Sequence, residues 1–213
     1  VSIGASLYPE HGGSPAELLK NADVALYAAK GAGRGIVTVF EPHMRDNVQR
    51  RNSMVHLART AIEDDRIVPY YQPKLDLATR SLVGFEALLR WHSEEHGFVS
   101  PGKFIPLAED TRLIVPIGNW VLHEACRQAA QWEGDLKVAV NVSGEQLLEP
   151  GFTSHVVRAL VDSGLPAQRL EVEVTESIFV RDARTARQTL EEIMALGCSV
   201  ALDDFGTGYS SLG

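Results

Sequence analysis

The sequence has little cysteine, no excess of positive charge and no long apolar run, and each absence closes off a class of function. Cys126 and Cys198 are the only cysteines in 213 residues, far apart, with no Cys-x-x-Cys pair and no Cys/His cluster. A disulfide scaffold and a structural zinc site are both poor readings of that pattern, and a reducing cytoplasm fits it. With 20 Lys+Arg against 28 Asp+Glu the formal charge is −8. That argues against a broad groove for polymeric nucleic acid, which works by neutralising many phosphates. A small anionic ligand held through metal ions stays open. No apolar stretch approaches the roughly 18 residues of a membrane-spanning helix; the expectation is that a membrane anchor of a longer parent protein lies upstream of Val1.

What is present is a globular composition, 45% hydrophobic and 23% charged, enough for one or two domains. Val1 to Ala5 read like a strand entered partway, without an initiating Met, and the chain stops at Gly213 just after a loop pattern. The expectation is a fragment of a longer protein, cut at both ends.

Periodicity and punctuation divide the chain in three. In residues 1–41, Pro9, Gly12 and Gly13 make a turn after the opening strand. Ser14 and Pro15 then fit an N-cap and first helical position, with Glu17 where a capping-box acid would sit. The helix should run to about Lys30, stopped by Gly31, Gly33 and Gly35, and Ile36 to Phe40 give a short strand. Residues 42–66 read as a polar linking helix, Val48, Val55 and Ile62 recurring at heptad spacing. A helix lying on its own domain is favoured over a dimeric coiled coil.

From Ile67 onward, strands are expected at Ile67–Gln72, Leu82–Trp91, Lys137–Ser143, Leu170–Thr175 and Ser199–Asp203. Two helices are expected within Pro101–Trp132, and one each at Gly151–Ser163 and Asp182–Leu196. Strands separated by helices of this length imply crossovers and a parallel sheet, doubly wound or closed as a barrel. The first two strands are too close for a crossover, so Asp76 to Ser81 should be a hairpin turn and that pair antiparallel.

Parallel strands covered on both faces should be apolar throughout, yet these carry acids. Glu86, Leu88 and Arg90 share one face of their strand, and Glu171, Glu173 and Thr175 share one face of theirs. Asn141 lies on the strand between, and the last strand ends in Asp203 and Asp204. Glu86 alone could be a structural ion pair with Arg90. Together the acids outnumber Arg90, the one nearby strand cation expected to neutralise them, and carboxylates sharing a poorly solvated site need cations. Oxygen donors without a ligand-like histidine pair favour Mg²⁺ or Mn²⁺, which can activate a water and polarise a phosphoryl oxygen. The run from Asp203 to Leu212, with Gly206, Thr207 and Gly208, is either an ordinary turn or an active-site loop. Glu176 is either a partner of that loop or a helix N-terminal acid.

At these residues the sequence resembles the EAL-domain cyclic-di-GMP phosphodiesterases of bacteria. The matching motifs are Tyr71-Gln72-Pro73, Glu86-Ala87-Leu88 followed by Leu89-Arg90-Trp91, Asn141-Val142-Ser143, Glu173-Val174-Thr175-Glu176-Ser177 and the Asp203–Leu212 run. The resemblance implies a TIM-like (β/α)8 barrel, α/β in class, whose first strand runs antiparallel, with about five of the eight strands falling in residues 67–213. It implies metal-assisted hydrolysis of cyclic di-GMP, a second messenger, to linear pGpG. By position Glu86, Asn141, Glu173 and Asp203 look like metal ligands, with Asp204 at a second metal. Gln72, Leu88 and Arg90 match substrate contacts, Arg90 facing phosphate, and Glu176 looks like the loop-steadying glutamate. Residues 1–41 are similar to the C-terminal part of a GGDEF diguanylate cyclase domain, in which the Lys30 and Arg34 positions contact phosphates. A solvated basic helix end accounts for those two equally well.

The family's later strands, with a catalytic lysine, a further glutamate and a glutamine, have no counterpart here. The expectation is a phosphodiesterase parent, dimeric like its family, and an isolated chain without activity. The rival reading is a non-catalytic cyclic-di-GMP receptor. Such receptors often lose metal ligands, and this chain keeps each one it is long enough to contain.

Overall fold

The computed structural model describes residues 1–31, 35–46, 48, 61, 66–93, 97–176 and 178–203, without the side chains of Val180 and Arg181. The chain divides into two compact units, Val1–His56 and Leu57–Gly213. Most of the linking helix expected over 42–66, together with Arg34, Asp204 and the loop beyond it, lies outside the described residues.

In the first unit, β1 (Ile3–Ala5) pairs in parallel with β2 (Val37–Val39) across α1 (Pro15–Gly31). Ser14 caps the helix as its position predicts, its Oγ accepting from Glu17 N at 3.3 Å. The Glu17 carboxylate reaches one residue further back than in a capping box, accepting from Gly13 N at 3.1 Å. Ala25, Ala29 and Phe40 form the buried side of this unit.

The second unit is a mixed sheet with helices between its parallel strands. Its strands are β3 (Ile67–Leu75), β4 (Leu82–Ser93), β5 (Gly97–Val99), β6 (Lys137–Asn141), β7 (Leu170–Thr175) and β8 (Ser199–Asp203). The order is β3-β4-β6-β7-β8 with β5 also on β4, so the described sheet has six strands rather than five. β5 escapes sequence reading because three residues are too few to show a period. The β3–β4 hairpin is antiparallel, and it runs three residues past the expected end of its first strand. Asp76 closes the turn, its Oδ1 accepting from Ala78 N (3.1 Å) and Thr79 N (2.7 Å). β4, β6, β7 and β8 are parallel neighbours, as their crossover spacing requires. Gly84 lets β4 approach β6, since a Cβ there would come within 2.2 Å of the Lys137 carbonyl oxygen.

The helices are α2 (Pro101–Asp110), α3 (Ile114–Ala129), α4 (Gly144–Leu147), α5 (Phe152–Ser163) and α6 (Ile178–Ala195). On α3, Ile114, Ile117, Val121, Leu122, Ala125 and Ala129 recur at helical spacing and are buried where the helix packs on α5 and on the sheet. Trp91 of β4 and Phe104 of α2, both essentially without solvent contact, meet edge to face at 5.6 Å. The helix expected from Asp182 begins earlier, at Ile178, but breaks at Asp182 (φ −153°, ψ 83°). There Asp182 caps the second segment, its carboxylate oxygens accepting from Thr185 N (3.1 Å) and Oγ1 (2.8 Å). Among the described residues no helix is long and apolar enough to cross a membrane.

Candidate active site

Side chains alternate across a strand, so Gln72 and Lys74 of β3, Glu86, Leu88 and Arg90 of β4, Asn141 of β6, Glu171 and Glu173 of β7 and Asp203 of β8 all leave the same face of the sheet. On the opposite face Tyr71 packs edge to face on Trp132 at 5.4 Å. Of the Tyr71-Gln72-Pro73 motif, only the glutamine points toward the acids.

The register decides whether these groups meet. Glu86 pairs with Ala139, which pairs with Glu171, which pairs with Ser199. Measured from that rung, Asn141 and Glu173 stand two residues further along their strands and Asp203 four. In a sheet curling toward a (β/α)8 barrel, strand tilt raises each strand by about one residue relative to the last. The offsets follow that rise to within about one residue, so the four groups occupy neighbouring levels of one face, Glu86 in mid-strand and Asn141, Glu173 and Asp203 at or near the C-terminal ends of their strands. There Leu88, Arg90, Asn141, Glu173 and Asp203 line a single cleft of about 900 Å³.

Within it Asn141 Nδ2 donates to Glu86 Oε1 at 2.7 Å. Glu173 is 8% exposed, and burial pushes its carboxyl above the usual range, the neighbouring Glu86 and Glu171 adding to the effect. Its charge is met by Lys74, whose Nζ lies 2.6 Å from both Glu173 Oε1 and Glu171 Oε1. Arg90, the cation of the alternative ion-pair reading of Glu86, is turned elsewhere. Its Nη1 donates to Leu89 O at 2.9 Å, and its guanidinium carbon lies 5.9 Å from the Tyr70 ring centre. Arg90 is therefore not the one strand cation within reach of the acids: Lys74, which shares Gln72's face, reaches them across the sheet. Lys74 is the group at this site that the sequence reading left out, and Glu171 was placed on the right face without a partner. The signal for Lys74 was parity: it stands two residues from Gln72, a motif residue.

Among the described residues no three His, Cys, Asp or Glu side chains gather as a ready metal cluster; Glu173 is bonded to Lys74 and Glu86 to Asn141. The donor set still fits a hard divalent cation. Every donor is an oxygen, and one ammonium serves two carboxylates where a third, Glu86, stands close by. Glu176 sits just before α6, its carbonyl accepting from Phe179 N at 3.2 Å. Lys30 is exposed in the last turn of α1.

Residues 57–213 match the family model described as EAL domain. The chain belongs to the EAL domain family. MucR of Pseudomonas aeruginosa, a bifunctional diguanylate cyclase/cyclic di-GMP phosphodiesterase, is 45% identical over 216 residues, covering 100% of this chain and 32% of that protein. The cyclic di-GMP phosphodiesterase PdeR of Escherichia coli is 40% identical over 216 residues, covering 99% of this chain and 32% of PdeR. The chain thus spans about a third of the length of these relatives. Among solved structures, the MucR phosphodiesterase in complex with c-di-GMP superposes with a TM-score of 0.71 at 45% identity, over 75% of this chain and 66% of that one. The EAL enzyme Bd1971, in its cAMP- and cyclic-di-GMP-bound form, gives 0.72 at 26% identity, over 94% of this chain and 54% of that one. The fold is therefore that of EAL domains, α/β and TIM-barrel-like.

Proposed function

We propose that this chain carries the strand-borne part of a cyclic-di-GMP phosphodiesterase site, in which Glu86, Asn141, Glu173 and Asp203 hold Mg²⁺ or Mn²⁺ and Asp204 serves a second ion. The observation that supports the reading is that these groups leave one face of four parallel strands, Asn141, Glu173 and Asp203 lining one cleft and Asn141 bonded to Glu86. A bound divalent ion of this kind lowers the pKa of a water and polarises a phosphoryl oxygen. The chain's own residues do the rest. Asn141 steadies the Glu86 carboxylate through their 2.7 Å bond. Arg90 and Gln72 supply donors for the phosphodiester, Arg90 as a fixed positive charge at the cleft. Leu88 offers an apolar contact, and beyond Arg90 a row of rings, Tyr70 to His92 at 6.4 Å and His92 to Phe98 at 5.7 Å, offers faces on which bases can stack. Glu176, which precedes α6, is the candidate for the loop-steadying glutamate.

The relatives MucR and PdeR are named for this activity, and the alignment with the bifunctional MucR runs through residues 1–41 as well. That supports reading the first unit as the end of a diguanylate cyclase domain, with Lys30 and Arg34 near its phosphates.

The test is hydrolysis of cyclic di-GMP to pGpG by the full-length protein with Mn²⁺ and with chelator. Turnover should require the metal, and Glu86→Ala should lower it about a hundredfold or more. Tight binding of cyclic di-GMP without metal-dependent turnover would instead make the protein a receptor.

A further inference from the structure

We propose that Lys74 is a positioning residue that competes with the divalent cation for Glu173, with Glu171 as its resting partner when the cation is bound. The inference deepens the metal reading above and rests on it. It starts from a distance that a flat sheet does not allow. β3 and β7 are separated by β4 and β6, and three strand spacings amount to about 14 Å. Yet the Lys74 ammonium lies 2.6 Å from Glu171 and 2.6 Å from Glu173. The side chains span the concave face of the curved sheet as a chord. The carboxylates it reaches are the less exposed partners, with side chains 20% and 10% accessible against 36% for Lys74.

Glu171 and Glu173 stand one above the other on the same face of β7, so one ammonium pins both at once. A cation taking Glu173 breaks only one of these two bonds. Lys74 keeps Glu171, and no buried charge is left unpaired, which is the outcome that would be costly. The two carboxylates thus act as a two-place rest for one ammonium, and the position of Lys74 between them reports on the metal.

Two directions of change follow. Removing the competitor in Lys74→Met, which keeps the length of the apolar stem, should tighten Mn²⁺ binding about tenfold, within the range usual for coupled binding. Lys74→Arg, which keeps the charge, should stay near the wild-type affinity. Removing the resting partner in Glu171→Gln should weaken Mn²⁺ binding, because Lys74 then has only Glu173. That weakening should largely disappear when combined with Lys74→Met, whereas a direct effect of the Glu171 charge on the ion would persist.

The experiment is calorimetric titration of Mn²⁺ into the full chain and these variants, with the metal-induced rise in melting temperature as a second readout. Equal or weaker binding by Lys74→Met, or fully additive Lys74 and Glu171 effects, overturns the proposal. Should Lys74→Met fail to fold, Glu171→Gln binding Mn²⁺ as well as wild type overturns it equally. Wild-type protein that binds no divalent cation sinks the metal reading itself and the inference with it.

Discussion

Gly118 of α3 has no side chain where the amide of Gln146 lies. A Cβ there would sit 2.1 Å from Gln146 Oε1, and Gln146, 1% exposed, is fixed from both ends. Its backbone N donates to Ser143 Oγ at 3.2 Å and its Nε2 to Asn119 Oδ1 at 3.0 Å. This keys the short helix α4, and so the end of the strand bearing Asn141, into α3. Gly118→Ala should cost about 1–3 kcal/mol as an overpacked site, read as a lower melting temperature, and pairing it with Gln146→Ala should recover part of that loss. At this scale the motif residues were legible because a two-residue period assigns each to a face. The Gly118–Gln146 contact and the Lys74 pair were not. Both join positions 28 residues or more apart in the chain, and no local pattern carries such a distance.

Single elements were legible where their boundaries are chemical. β7 and β8 coincide with the sequence reading because apolar alternation starts and stops sharply there, while β5 and α4 are too short to show a period. Asp182 is the instructive case. The sequence places a helix start at this residue, and the structure has a helix on both sides of it with the capping bonds at the break. Bonds from Thr185, the backbone N–H first, hold the Asp182 carboxyl below the usual carboxylate range. A depressed folded value means that the stabilisation is present above the unfolded pKa, about 4, and is lost as pH falls through the folded value. Asp182→Ala should therefore lower the melting temperature at pH 7 by about 2–4 °C, the size of an N-cap loss in a chain this long. The gap between variant and wild type should close on acidification, measured by circular dichroism melts from pH 7 to pH 2.

Across the sheet unit, one apolar layer between strands and helices carries the stability. The buried residues run from Ile67 and Trp91 through Phe104, Leu122 and Val138 to Val172 and Ile193. Phe104→Ala opens a void against Trp91 and should cost about 3–5 kcal/mol. The loss is measurable as an earlier denaturation midpoint in tryptophan fluorescence, to which Trp91 reports directly. The alternating strands and helices made this α/β architecture legible. The curvature of the sheet was expected from the family resemblance alone, because strand tilt and stagger leave no local pattern and show only in the register.

The antiparallel entry of β3 has a consequence for how insertions or deletions are tolerated. The Asp76 turn and the register shift between Lys74 and Leu75 set which side chains of β3 look inward. Losing a single residue between Asp76 and Ser81 would rotate that ladder by one place, exchanging Gln72 and Lys74 for Tyr71 and Pro73. A hairpin turn whose own residues bear none of the acids thereby acts as the indexing pin of the acidic chamber, and its length should vary far less freely than that of an ordinary surface loop.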